Sequence, residues 1–192
     1  MSDRKYNIIL CDVPWSYRDK CHSGNRGVEY KYSTLSLEEV KQLDVGAIAA
    51  PNCALFFWAT MPLLPEALEV IKAWEFDYTT AAFTWVKRNK VANSWFWGMG
   101  NFTRANPELC LLAMRGKLTR VSAKVHSLVE APVGKHSSKP SEVRDRIVQL
   151  FGDLPRVELF AREAVLGWDS LGDAIDGRDI RQVLSIPKRV LR

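Results

Sequence analysis

The tetrad Asp12-Val13-Pro14-Trp15 follows directly on the apolar run Asn7-Ile-Ile-Leu-Cys11. A carboxylate, a proline-stiffened turn and a flat ring thus stand just beyond a predicted strand, where open α/β sheets bind ligands. A second group lies between Lys87 and Glu108, where Trp95, Phe96, Trp97 and Phe102 alternate with Gly98 and Gly100 and the only charges are Lys87, Arg88, Lys90 and Arg104. Flat rings interleaved with cations suit unstacked bases; a hydrophobic plug on a sheet is the alternative. Taken alone, the tetrad reads as a simple cap at Asp12 and a core ring at Trp15. The four cysteines (Cys11, Cys21, Cys53, Cys110) and three histidines (His22, His126, His136) form no metal-ligand spacing and no disulfide framework. That pattern predicts a reducing, cytoplasmic setting without metal.

These residues must be positioned by elements that alternate along the chain. Strands are predicted at 7–11, 53–58, 80–86, 109–114 and 157–160. Ser36-Leu-Glu-Glu39 is a capping box opening a helix to about Leu43. Pro65 opens a second helix to about Trp74, with Leu68, Ile71 and Trp74 as its apolar face. A third starts at Lys139-Pro140-Ser141-Glu142, carries Val143, Ile147, Leu150 and Phe151 at helical spacing, and ends at Gly152. A terminal helix is predicted in the last fifteen residues or so. Two connections are long, 15–36 and 87–108, and long loops in compact domains are usually functional or disordered. The expected architecture is α/β, a mostly parallel sheet with helices on both faces, in a single domain over 1–192 with a loop at 88–108 and a tail at 179–192.

The 192 residues carry a net charge of +5. The segment Arg115–Arg146 holds eight Lys/Arg against three Asp/Glu, and the rest of the chain is balanced. Such asymmetry predicts a polyanionic partner on one side, against the alternative of a solvated basic face. The longest apolar stretch, Cys53–Leu64, is broken by Thr60 and Pro62 and is shorter than the ~20 residues of a membrane span. No secretory leader is read at the start.

The tetrad resembles the Asp-Pro-Pro-Trp signature of the MT-A70 family of adenine-N6 methyltransferases, with Val13 in place of the first proline. The resemblance continues in the family's order: Tyr32-Ser33-Thr34 before the capped helix, Phe57-Trp58-Ala59-Thr60, Thr84-Trp85-Val86-Lys87, then Gly98-x-Gly with Arg104, Glu108 and Cys110-Leu111. His136-Ser-Ser-Lys139-Pro140, Glu158-Leu-Phe-Ala-Arg162 and Gly167-Trp168 complete it, over roughly Asn7 to Gly177. It implies a Rossmann-like fold in permuted order, the catalytic tetrad before the cofactor strand, and S-adenosylmethionine as methyl donor. It implies that Asp12 and the Val13 carbonyl accept from the adenine amine, that Pro14 stiffens the turn and that Trp15 stacks on the flipped base. On the substrate side it places Tyr32, Lys87, Trp97, Arg104 and Glu108, with Glu108 equally readable as an ion-pair partner of Arg104. On the cofactor side, beside Asp12, it places Lys139 at the methionine carboxylate, Arg162 at the nucleoside end and Gly172-Asp173 near the ribose. Ala164 and Val165 stand where some members carry His-Asn. His136 fits a loop hydrogen bonder or a ligand contact equally. The compact build points to DNA in a bacterial or phage-infected cell. RNA, a catalytically silent nucleic-acid-binding subunit and a small-molecule methyltransferase are the rival readings, and a homo- or heterodimer is compatible with all of them.

Overall fold

The computed structural model describes residues 4–15, 34–100, 102–134 and 138–184. Its centre is β1 (Tyr6–Cys11), buried along nearly its whole length. Alternate side chains serve opposite faces, as the period of two requires. Ile9 and Cys11 join one core cluster, and Ile8 and Leu10 join the other. β1 runs parallel to β2 (Ala49–Ala59) on one side and to β6 (Arg156–Leu159) on the other, with Cys11 level with Phe57 and Leu159.

Among the described residues, seven strands stand in the order β5-β3-β4-β2-β1-β6-β7. β3 is Asp77–Arg88, β4 is Glu108–Arg115, β5 is Leu128–Pro132 and β7 is Asp169–Leu171. β4 pairs antiparallel with both β2 and β3, and every other pairing is parallel. Six strands therefore run one way and β4 alone is reversed. The carboxyl ends of the six and the amino end of β4 share one edge. The chain moves outward from β1 through β2, β3 and β5, then returns to β6 on the far side of β1. The order thus reverses between β1 and β6, where sheets of this kind open a crevice at the carboxyl edge.

Helices cover both faces. α1 (Leu37–Lys41) starts at the predicted capping box: the Ser36 hydroxyl accepts from Glu39 N–H, and Ser36 N–H donates to the Glu39 carboxylate at 2.9 Å. α1, α2 (Leu64–Ala73) and the short α5 (Ile180–Val183) pack on the Ile9 face through Val40, Val70, Ile71 and Ile180. α3 (Glu142–Phe151) packs on the Ile8 face through Val143, Ile147 and Phe151, and Gly152 ends it at φ +88°. A further short turn, α4 (Asp173–Asp176), follows β7.

Two expectations need correction. The buried stripe of α2 is Ala67, Val70, Ile71 and Trp74, while Leu68 is exposed, because small Ala67 lets the helix lie close to the sheet. The sequence also gave no sign of β5 or β7, two short edge strands each paired on one side. Of the terminal helix, only Ile180–Val183 falls among the described residues. No helix among them is long and apolar enough to cross a membrane.

Candidate active site

Asp12 leaves β1 at the shared edge, and the turn behind it is fixed. Trp15 N–H donates to the Val13 carbonyl at 3.0 Å around Pro14. This is an inverse γ-turn connection, and proline's φ near −65° lies close to the ~−75° such a turn needs. Leu35 N–H donates to the Pro14 carbonyl at 3.0 Å, and Trp15 and Leu35 form a parallel bridge. The Val13 side chain is buried in the core. The Trp15 ring is 7% exposed and tilts against Phe57, centroids 6.2 Å apart, so it anchors the turn to β2.

Four charges of alternating sign cross the edge from β1 to β3. Lys139 Nζ lies 2.8 Å from Asp12 Oδ2 and 3.4 Å from Glu108 Oε2, and Lys87 Nζ lies 2.5 Å from Glu108 Oε1. β3, β4, β2 and β1 are neighbours in that order, so Lys87 at the end of β3 and Glu108 at the start of β4 meet as a matter of topology. Trp58 and Trp85 pack edge to face beneath, with Lys139 Nζ 5.7 Å from the Trp58 ring centre and Lys87 Nζ 5.1 Å from that of Trp85. Burial pushes the Lys139 ammonium down, but the Asp12 and Glu108 charges outweigh it and hold the group above the usual lysine range. Burial lifts Glu108, yet Lys139 and Lys87 together hold its carboxyl below the usual range. Glu108 Oε2 is buried and accepts no hydrogen bond among the described residues, resting on its ion pair with Lys139. Below the row, burial pushes the Cys11 and Cys110 thiols up, so they stay protonated as apolar fill.

Of the two readings of Glu108, substrate contact and an ion pair with Arg104, the ion pair is not formed. Arg104 instead donates to the carbonyls of Trp97 at 2.8 Å and Gly98 at 2.9 Å, bracing the aromatic loop on itself. Trp97 is half exposed, while Phe96 lies partly under the loop with Lys87 Nζ 6.0 Å from its ring centre. Buried Asn106, which no sequence motif singled out, ties the loop to β3. Its Oδ1 accepts from Lys87 N–H and its amide donates to the carbonyls of Lys87 and Phe96.

On the other side of Asp12 a cleft opens at the ends of β1, β6 and β7. Asp12, Pro14, Phe160, Arg162, Asp173 and Asp179 line it. Lys139 is not among its lining residues. Phe160 holds φ +58°, a left-handed conformation uncommon for an aromatic residue, at the exit of β6. Gly172, next to Asp173, is buried, and a Cβ there would come within 2.5 Å of the Ala161 carbonyl oxygen. Only a residue without a side chain lets β7 turn so close to the β6 exit. A hydrogen bond from Arg181 holds the Asp179 carboxyl below its ordinary range. Phe160 belongs to the quoted Glu158–Arg162 motif and Asp179 to the predicted tail, but neither has a site role in the sequence, and the strain at Phe160 has no sequence signature. Three carboxylates and one guanidinium fit a ligand carrying cationic centres and hydroxyls beside a carboxylate, as S-adenosylmethionine does.

The structure therefore brings Asp12, Arg162 and Asp173 to one cleft, with Gly172 buried next to Asp173 but not lining it, and Lys87, Glu108 and Lys139 to one charge row, with Asp12 common to both. Tyr32 and His136 lie outside the described residues. Among the described residues no group of three or more His, Cys, Asp or Glu could hold a metal ion.

The MT-A70 family model matches residues 6–174 of the chain. Type II methyltransferase M.MunI of Mycoplasma sp is 36% identical over 187 residues, covering 88% of this chain and 77% of that protein. The human N(6)-adenosine-methyltransferase catalytic subunit METTL3 is 24% identical over 177 residues, 90% of this chain and 29% of its own length. Human N(6)-adenine-specific methyltransferase METTL4 is 26% identical over 197 residues, 90% of this chain and 38% of its own. The chain thus spans well under half of these two larger relatives.

Proposed function

The chain belongs to the MT-A70 family and is an adenine-N6 methyltransferase acting on nucleic acid, and from that premise we propose that S-adenosylmethionine is its methyl donor and DNA its polymer. The observation that carries the reading is the position of Asp12, between the acidic cleft and the charge row that leads to the aromatic loop.

The N6 amine of adenine is a poor nucleophile because its lone pair is delocalised into the ring. Acceptors aimed at its N–H bonds favour a pyramidal nitrogen and offset the positive charge that develops on it. The Asp12 carboxylate supplies one acceptor. The Val13 carbonyl supplies another, since it uses one lone pair on Trp15 N–H and a carbonyl has two. Lys139 holds the Asp12 carboxylate in place through a single charge-assisted bond at 2.8 Å. S-adenosylmethionine, when bound, supplies an activated methyl on its sulfonium. Arg162 and Asp173 would hold that cofactor, with Asp179 adding a carboxylate and buried Gly172 setting the turn that carries Asp173. Val13, in place of the family's proline, keeps the main-chain acceptor and adds an apolar side chain to the core. The basic segment and the cation-bearing loop supply phosphate contacts.

M.MunI, of which this chain covers most, supports DNA as the polymer. The test is methyl transfer from labelled S-adenosylmethionine to single-stranded DNA, duplex DNA and RNA, with mass spectrometry of the product nucleosides. N6-methyladenine in DNA is expected. Product in RNA alone would overturn the choice of polymer.

A further inference from the structure

We infer that Phe102 is a wedge that enters the base stack of duplex DNA and holds open the gap left by the target adenine. The inference rests on the DNA reading proposed above. Phe102 is fully exposed and nearby Met99 is 83% exposed. An exposed ring on a loose loop would mean little, but this loop is braced. Gly98 and Ala105 form an antiparallel bridge with a 2.7 Å hydrogen bond, Arg104 clamps two carbonyls, and buried Asn106 fixes the root. At the tip Gly100 holds φ +61°, and a Cβ there would lie 1.9 Å from the Thr103 carbonyl oxygen, so the turn is fixed by its glycine. The protein thus presents a large apolar ring to water on a finger braced at its root.

Two observations favour a base stack as its partner. The finger is rooted at Lys87 and Glu108, whose charge row ends at Asp12, so it stands on the edge that must receive the adenine. The loop itself carries cations and no acid: Lys90 and Arg104 are exposed, Arg88 stacks on Trp95 at 4.3 Å while pairing with Glu130 of β5 at 2.8 Å, and no acidic residue occurs between Asp77 and Glu108. That charge suits flanking phosphates. Extruding a base leaves an unstacked gap, and apolar side chains are the residues that fill such gaps.

The test compares wild type, Phe102→Ala and Phe102→Leu on one oligonucleotide, presented single-stranded, as duplex, and as duplex with the target adenine mispaired. Phe102→Ala should lower kcat/KM on the paired duplex on the order of 10- to 100-fold, the factor that burial of one aromatic ring supplies. It should leave the single strand within about twofold, with the mispaired duplex between, since a premade gap costs less to open. Phe102→Leu should keep most duplex activity. Equal loss on all three substrates, no loss on the duplex, or a changed oligomeric state in Phe102→Ala would overturn the wedge while wild-type activity on the single strand upheld the methyltransferase reading. Absence of wild-type product on every DNA would overturn the wedge together with the choice of DNA as polymer.

Discussion

Replacing Lys139 with methionine removes the cation shared by Asp12 and Glu108 while keeping most of the side-chain volume. The two ion pairs, at 2.8 and 3.4 Å, correspond to attractions of about 6 and 5 kcal/mol at an effective dielectric near 20. Desolvation of the ammonium offsets much of that sum. What governs the variant is the state left behind, two largely buried carboxylates, one with an oxygen that already accepts no hydrogen bond. Breaking a fully buried pair from one side costs about 3–5 kcal/mol. Water reaches these groups, whose side chains are 13–25% exposed, so the loss falls to about 2–4 kcal/mol. In a chain of this length that lowers Tm by roughly 5–15 °C. The pH dependence is the sharper signature. In wild type the depressed Glu108 contributes stability above the ordinary carboxylate range, and that contribution is lost as pH falls through its lower folded value. In the variant the strongest influence holding Glu108 down is gone and burial raises it, so folded Glu108 takes up a proton more readily on acidification. The deficit against wild type should be largest at pH 7 and shrink toward pH 5, and adding Glu108→Gln should recover much of it at pH 7. Thermal melts followed by circular dichroism at pH 7, 6 and 5 make the comparison. A deficit below about 1 kcal/mol, one independent of pH, or no recovery with Glu108→Gln would refute the reasoning.

Gly172→Ala forces a Cβ to within 2.5 Å of the Ala161 carbonyl oxygen and 2.9 Å of its nitrogen, backbone atoms that cannot swing aside. It should cost about 1–3 kcal/mol and weaken S-adenosylmethionine binding, both readable by calorimetry. Arg104→Ala removes two bonds to loop carbonyls at an exposed site. It should leave Tm within about 2 °C and raise KM for DNA several-fold with little change in kcat; an unchanged KM would show that the brace is idle. Burial, then the bond to Asp169 at 2.7 Å, raise the Tyr6 phenol from 10.0 to about 12. The folded state keeps that proton longer than the unfolded chain, so this contribution is full below pH 10 and declines from pH 10 to 12. Denaturant unfolding across that range should show the decline in wild type and a flatter profile in Tyr6→Phe.

The elements legible in the sequence were those with a period and a boundary. α1 was fixed by its capping box, α3 by four apolar positions and Gly152, and β1, β2 and β4 by apolar runs that sit inside the sheet. β5 and β7 left no trace because five and three residues on a sheet edge need little apolar patterning, and β5 ends in proline. The site divides the same way. Asp12 was legible as a carboxylate beyond a strand, and the aromatic loop as an anomaly of composition. The partner of Glu108 was not legible, because a four-residue separation from Arg104 means proximity only on a helix, and the chain there runs through a loop into β4. Its true partners come from β3 and from the approach to α3, which only the strand order brings together.

The most direct test of the account is methyl transfer by wild type and Asp12→Asn, read as N6-methyladenine by nucleoside mass spectrometry on DNA, with S-adenosylmethionine binding measured on both proteins. Asparagine keeps the shape and an acceptor oxygen but not the charge. The account predicts product from wild type, a rate lower on the order of 10²–10³-fold in the variant, and cofactor affinity within a few-fold. An Asp12→Asn variant that methylates adenine at the wild-type rate would contradict it.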